Sequence, residues 1–168
     1  MPTRPIPQGM IEIFLQPGEL YFGDRTTRIR TLLGSCVSLV LWHPQQCIGG
    51  MCHYMLPSRQ RPPGAALDGR YGDEALELLL RDIQASGNRP EDFRLRVFGG
   101  GNMFPTLARS RRPHVGRQNV EAAKRMIQQH GLTCHAAHVG GIGHRNLIFD
   151  IWSGQVALKQ PAPIASPS

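Results

Sequence analysis

A single-domain α+β fold, with mixed or antiparallel β-sheets in a sandwich flanked by helices, is what this 168-residue chain predicts. Three observations point there. The length suits one domain of roughly 100–200 residues. Short runs rich in β-branched and apolar residues recur between turn residues along most of the chain. Only two segments carry a helical period, so the strands follow one another instead of alternating with helices as a doubly wound parallel sheet requires.

Taken in order, residues 1–10, with Pro2, Pro5 and Pro7, read as a flexible arm before a domain spanning 11–160. Ile11 to Leu15 and the region of Tyr21 are plausible edge strands. Val37 to Trp42 and Cys47 to Leu56 form a strand pair, with Pro44 in the connection. Ser58 to Gly69 is a polar loop rich in Arg, Pro and Gly. A helix opens at Asp73, with Leu76, Leu79, Leu80 and Ile83 on one face, and stops near Gly87-Asn88. A strand around Leu95 and Val97 ends in Gly99-Gly100-Gly101. A second helix runs from about Asn119 to His130, with Val120, Ala123, Met126 and Ile127 inward and Gly131 closing it. Thr133 to Val139, Leu147 to Ile151 and Val156 to Leu158 finish as strands, the last two joined by a turn at Ser153-Gly154. The Pro/Ala/Ser segment 161–168 has no periodicity and reads as a disordered tail.

Composition narrows the function classes. The longest largely apolar stretch, Val37 to Trp42, is far shorter than the ~20 residues of a spanning helix, and no secretory leader opens the sequence, so a cytoplasmic protein without membrane insertion is expected. The formal charge is +7, from nineteen basic residues of which only Lys124 and Lys159 are lysine. Arginine favours carboxylate and phosphate partners. The arginines are dispersed, with one cluster at Arg109, Arg111, Arg112 and Arg117, which ranks nucleic-acid binding last. The cysteines are Cys36, Cys47, Cys52 and Cys134, without a Cys-x-x-Cys pair, so reduced thiols and no metal are expected. Gly99 to Gly101 lacks the continuation of a phosphate loop. Cys47, Cys52 and Cys134 read as core thiols, and His135, His138 and His144 as surface or loop histidines.

The segment Thr31-Leu-Leu-Gly-Ser-Cys36 is the most informative. A Gly-Ser turn delivers a cysteine to the mouth of a strand. If Trp42 pairs with Cys47 across His43–Gln46, Cys36 lies directly opposite His53, and opposed residues share a face about 4.5–5.5 Å apart. A cysteine beside an imidazole forms the attacking thiolate of covalent catalysis below its free pKa. Gly34 permits close approach of a substrate, and amides of the Gly34–Ser35–Cys36 turn suit an oxyanion hole. Residue types alone admit, at even weight, a Cys36 buried for packing and a His53 that is a satisfied strand histidine.

Six stretches, in this order and spacing, resemble the chemoreceptor glutamine deamidases of the CheD family: Leu33-Gly-Ser-Cys-Val-Ser-Leu39, Gly49-Gly-Met-Cys-His-Tyr-Met-Leu-Pro57, Arg70-Tyr-Gly-Asp73, Val97-Phe-Gly-Gly-Gly-Asn-Met-Phe104, Gly116-Arg-Gln-Asn-Val-Glu-Ala122 and Val139-Gly-Gly-Ile-Gly-His-Arg-Asn-Leu-Ile-Phe-Asp150. The resemblance covers roughly Leu32 to Lys159. It implies a cysteine hydrolase, without metal or organic cofactor, that converts glutamines in the cytoplasmic helices of chemotaxis receptors to glutamate. By motif match it assigns the nucleophile to Cys36 and the general base to His53, with Thr31 as the candidate third residue. Methylesterase activity is a plausible side reaction. It also implies a CheC-type phosphatase as a binding partner. The alternative is a non-catalytic regulatory protein that docks on receptors or on that phosphatase.

Overall fold

Seven consecutive buried residues, Val37–His43, form the middle of the molecule, because both faces of that strand are covered. The structure, a computed structural model, describes residues 4–103 and 114–160. Among these residues nine strands are present: β1 (Ile11–Leu15), β2 (Leu20–Gly23), β3 (Thr27–Leu33), β4 (Val37–His43), β5 (Ile48–Cys52), β6 (Arg94–Gly99), β7 (Cys134–Val139), β8 (Arg145–Asp150) and β9 (Gln155–Lys159). The helices are α1 (Gly72–Ala85) and α2 (Val115–Gln129). One sheet has the order β1-β3-β8-β9 and the other β2-β5-β4-β6-β7. Each holds one parallel pair, β1 with β3 and β6 with β7, among antiparallel neighbours. This is the α+β class with mixed sheets expected from the strand-rich pattern.

Side chains alternate across a strand, and β4 uses both sides. Leu39 and Leu41 join Leu76, Leu79 and Ile83 of α1 and Val120 and Met126 of α2 in one core. Val40 and Trp42 join Ile29 and Leu33 of β3 and Leu147 and Phe149 of β8 in the second. The layers are therefore sheet, sheet, helices. Burying a Leu- or Phe-sized side chain contributes roughly 1.5–3 kcal/mol, and the second core holds the sheet that carries Thr31 against the sheet that carries β4.

The β4–β5 hairpin corrects the expected register. Trp42 pairs with Gly49, not Cys47, and His43 with Ile48. Cys47 adopts φ 51° and its amide donates to the His43 carbonyl at 2.9 Å, so it belongs to the turn. The offset is two residues, which keeps every side chain on the face expected of it. α2 also starts four residues earlier than expected, at Val115. Its N-cap is His114, whose ring Nδ1 accepts from the Arg117 amide at 2.8 Å, a cap outside the usual Ser/Thr/Asp/Asn set. The polar loop after Pro57 is fastened to α1: Arg59 makes a two-pronged ion pair with the buried Glu74, at 2.9 and 3.0 Å. Residue Arg4 reaches back to the Trp152 carbonyl at 2.9 Å. Residues 1–3, the tail 161–168, and Arg109, Arg111 and Arg112 of the basic cluster lie outside the described residues.

Candidate active site

β3 brings Thr31 to the inner face of its sheet, in register with Leu15 on one side and Leu147 on the other. β5 runs out past Cys52 and delivers His53 from the opposite sheet. Both residues are 2% exposed. They meet across the sandwich: Thr31 Oγ1 and His53 Nδ1 are 2.6 Å apart, and Thr31 Oγ1 is 2.8 Å from the Leu15 carbonyl. A carbonyl only accepts, so the single hydroxyl proton of Thr31 goes to Leu15. The hydroxyl oxygen then accepts from Nδ1–H of His53. That fixes the tautomer and leaves Nε2 with a free lone pair, the state of a general base.

Cys36 stands on the same sheet face. The pairs Val40 with Met51 and Val37 with Tyr54 put Ser38 across from His53. Cys36 is thus the diagonal neighbour of His53, about 7–8 Å away in a regular sheet and within reach of an imidazole. The expected direct opposition does not hold, because Cys47 is taken into the turn. Cys36 is partly exposed, as a group open to a substrate must be, whereas Cys52 is buried in the helical core with its thiol pushed up to about 12 by burial. Cys47 is buried too, but Cys134 is exposed on β7, contrary to the core role expected of it.

Electrostatics oppose a resting ion pair. Burial pushes the Cys36 thiol up and the His53 imidazole down to about 4. The two groups sit as thiol and neutral imidazole. This corrects the expectation of a thiolate formed below the ordinary cysteine range.

Three glycines hold the Cys36 turn. The Gly100 amide donates to the Cys36 carbonyl at 2.8 Å and the Gly101 amide to the Gly34 carbonyl at 2.9 Å. Gly99 has φ 113°, and a Cβ there would stand 2.2 Å from the Cys36 carbonyl oxygen. Only glycine fits this approach. The amides of Ser35 and Cys36 take no backbone acceptor among the described residues. Two buried side chains absent from the sequence-derived site complete its walls. Arg145 donates from Nε to His138 Nδ1 at 2.9 Å and from Nη2 to the Gly140 carbonyl, fixing the loop beside Gly101. Asn119 donates to the carbonyls of Ser35 and Met55. The signal for both was present as a polar residue at an inward position of its element.

A profile described as CheD chemotactic sensory transduction matches residues 55–160. A protein of Dechloromonas aromatica strain RCB is 50% identical over 155 residues, which is 92% of this chain and 91% of the relative. The chain belongs to the CheD family. That relative is named probable chemoreceptor glutamine deamidase CheD 3. One from Pseudomonas syringae pv. tomato, named probable chemoreceptor glutamine deamidase CheD, is 51% identical over 94% of this chain and 95% of its own. A more distant CheD relative from Leptospira interrogans is 33% identical over 92% of this chain and 96% of its own. The family profile begins after His53, but an alignment of 155 residues necessarily takes in Thr31, Cys36 and His53. No helix among the described residues is long and apolar enough to cross a membrane.

Proposed function

We propose that this CheD protein hydrolyses the side-chain amide of selected glutamines in the cytoplasmic helices of chemotaxis receptors, with Cys36 as nucleophile, His53 as general base and acid, and Thr31 holding the imidazole. What supports the reading most is the Thr31–His53 hydrogen bond, which sets the His53 tautomer beside the one half-open thiol on that face. The Cys36 sulfur attacks the amide carbon while its proton passes to Nε2 of His53. Negative charge moves to the amide oxygen, which accepts hydrogen bonds from the Ser35 and Cys36 amides next to Gly34. Because the site disfavours both ions, proton transfer and carbon–sulfur bond formation proceed together.

The imidazolium then gives its proton to the leaving nitrogen, the carbon–nitrogen bond breaks, and ammonia departs from a thioester. Water attacks next, losing a proton to His53. The carbon–sulfur bond breaks, the sulfur recovers that proton, and glutamate is released. The balance is one water consumed and one ammonia formed. No cofactor enters. The protein works in the cytoplasm, where receptor helices are reached, and a CheC-type phosphatase is its second partner. Intact mass of a receptor cytoplasmic fragment tests this: wild-type protein adds roughly one dalton per site, as amide-to-acid hydrolysis through a thioester requires, and Cys36→Ala and His53→Ala add nothing. A bound receptor fragment that keeps its mass with wild type would overturn the reading.

A further inference from the structure

The β4–β5 ladder that aligns Cys36 with His53 ends just where alignment matters. Its last rung is Val37 with Tyr54, bonded in both directions at 3.1 and 2.9 Å. Beyond it the two chains part, because the amides of Met55 and Leu56 turn away to the Arg70 carbonyl. Asn119 of α2 stands in the gap. Its Nδ2 donates to the Ser35 carbonyl at 3.0 Å and to the Met55 carbonyl at 2.9 Å. Ser35 precedes Cys36, and Met55 is two residues beyond His53. A side chain on a third element thus replaces the missing rung.

The orientation of that amide is set by chemistry, since only its nitrogen can face two carbonyl oxygens. Its Oδ1 is buried with no hydrogen-bond partner among the described residues, although Asn119 is fully buried. A residue selected only to fill the core would avoid an orphan acceptor. The helix is itself pinned at this point, because Tyr54, next to His53, donates its hydroxyl to the Asn119 carbonyl at 2.6 Å. We propose that Asn119 is a positioning residue, a bracket that sets the spacing between the Cys36 turn and the His53 strand. The proposal rests on the deamidase reading of Cys36 and His53.

The test measures kcat and KM on a receptor cytoplasmic fragment, by mass, for wild type, Cys36→Ala, Asn119→Ala and Asn119→Asp between pH 5.5 and 9, with near-UV circular dichroism as the check of folding. Asn119→Ala lowers kcat roughly 10–100-fold, the scale of a misplacement near 1 Å, and leaves KM within about twofold. Asn119→Asp carries the diagnostic signature. A protonated carboxyl has one O–H to donate, so part of kcat returns at low pH. The return disappears as the group ionises, at a pH above the ordinary carboxylate range because burial and two facing carbonyls disfavour the anion. Wild type and Asn119→Ala lack that limb.

A residue that merely fills space would lower thermal stability without adding it. Folded Asn119→Ala with wild-type kcat, an Asn119→Asp profile parallel to wild type, or variants unfolded even at pH 6 would each overturn the proposal. An inactive wild type, or an active Cys36→Ala, would instead overturn the reading of the site on which it rests.

Discussion

Acidification should destabilise this protein through one imidazole. His53 is buried and neutral, and burial holds its pKa near 4 against 6.5 for an unperturbed histidine. Between those values the unfolded chain binds a proton that the folded chain refuses. Stability therefore rises with pH across that window and is lost as the pH falls toward 4. At roughly 1.4 kcal/mol per pH unit, going from pH 7 to pH 4.5 removes on the order of 2–3 kcal/mol, a large part of a marginal total. Urea unfolding of wild type and His53→Gln at the two pH values measures it. With a urea slope of about 1–3 kcal/mol/M, the wild-type midpoint should drop by roughly 1–2 M more than that of the variant. Asp24, Asp68 and Glu74, whose hydrogen bonds to Thr26, Arg70 and Arg59 hold them below the usual carboxylate range, also weaken the fold in acid. They do so in both proteins and drop out of the difference. Equal acid losses in the two, or a His53 ring proton titrating near 6.5 in the folded protein by NMR, would rule out the buried neutral imidazole as the source.

Thr31→Val leaves a buried imidazole N–H and the Leu15 carbonyl without their partner, which should cost roughly 1–3 kcal/mol in urea unfolding and lower kcat at least tenfold; Thr31→Ser keeps the hydroxyl and should retain most of both. The acid limb of kcat/KM should fall near pH 4, where His53 takes its proton, and a limb near 6.5 would count against the assigned base. Alkylation of Cys36 by iodoacetamide, followed by peptide mapping, should be slow at pH 7 and accelerate only above the ordinary cysteine range, because burial raises the thiol. Raising salt should increase KM for an acidic receptor fragment, since a +7 chain gains long-range attraction; a salt-independent rate would remove steering from the account.

Much of this was legible in the chain because it depends on local periodicity. α1 declares itself by Leu76, Leu79 and Ile83, and its end by Gly87 at φ 82°. β4 declares itself as a run buried on both faces. β3 does not declare itself as a strand, although Thr27, Ile29, Thr31 and Leu33 alternate inward, because threonines at two of those positions hide the apolar period. The hairpin register missed by two residues because only the φ of Cys47 decides between a turn and a strand end there. Faces survive such an error, so Cys36 and His53 still came out on one side. Asn119 and Arg145 are different in kind. Asn119 acts through backbone carbonyls far away in sequence, Ser35 at a separation of 84 residues, and Arg145 through the loop just before its own strand, and no periodic pattern within a helix or strand encodes either set of partners.

The neutral pair bears on how such a protein can be safe in a cell. A resting thiolate reacts with any electrophile it meets, whereas a thiol raised by burial beside an imidazole near 4 is inert until something compensates the charge that proton transfer creates. The compensation arises at the substrate itself, when negative charge leaves sulfur for an amide oxygen facing the turn amides. Reactivity then depends on a glutamine side chain being seated, and the spacing of the turn, its glycine cradle and the Asn119 bracket decide whether it is. Selectivity and activation are on this account one event, and a substitution that loosened the turn would lose rate before it lost binding.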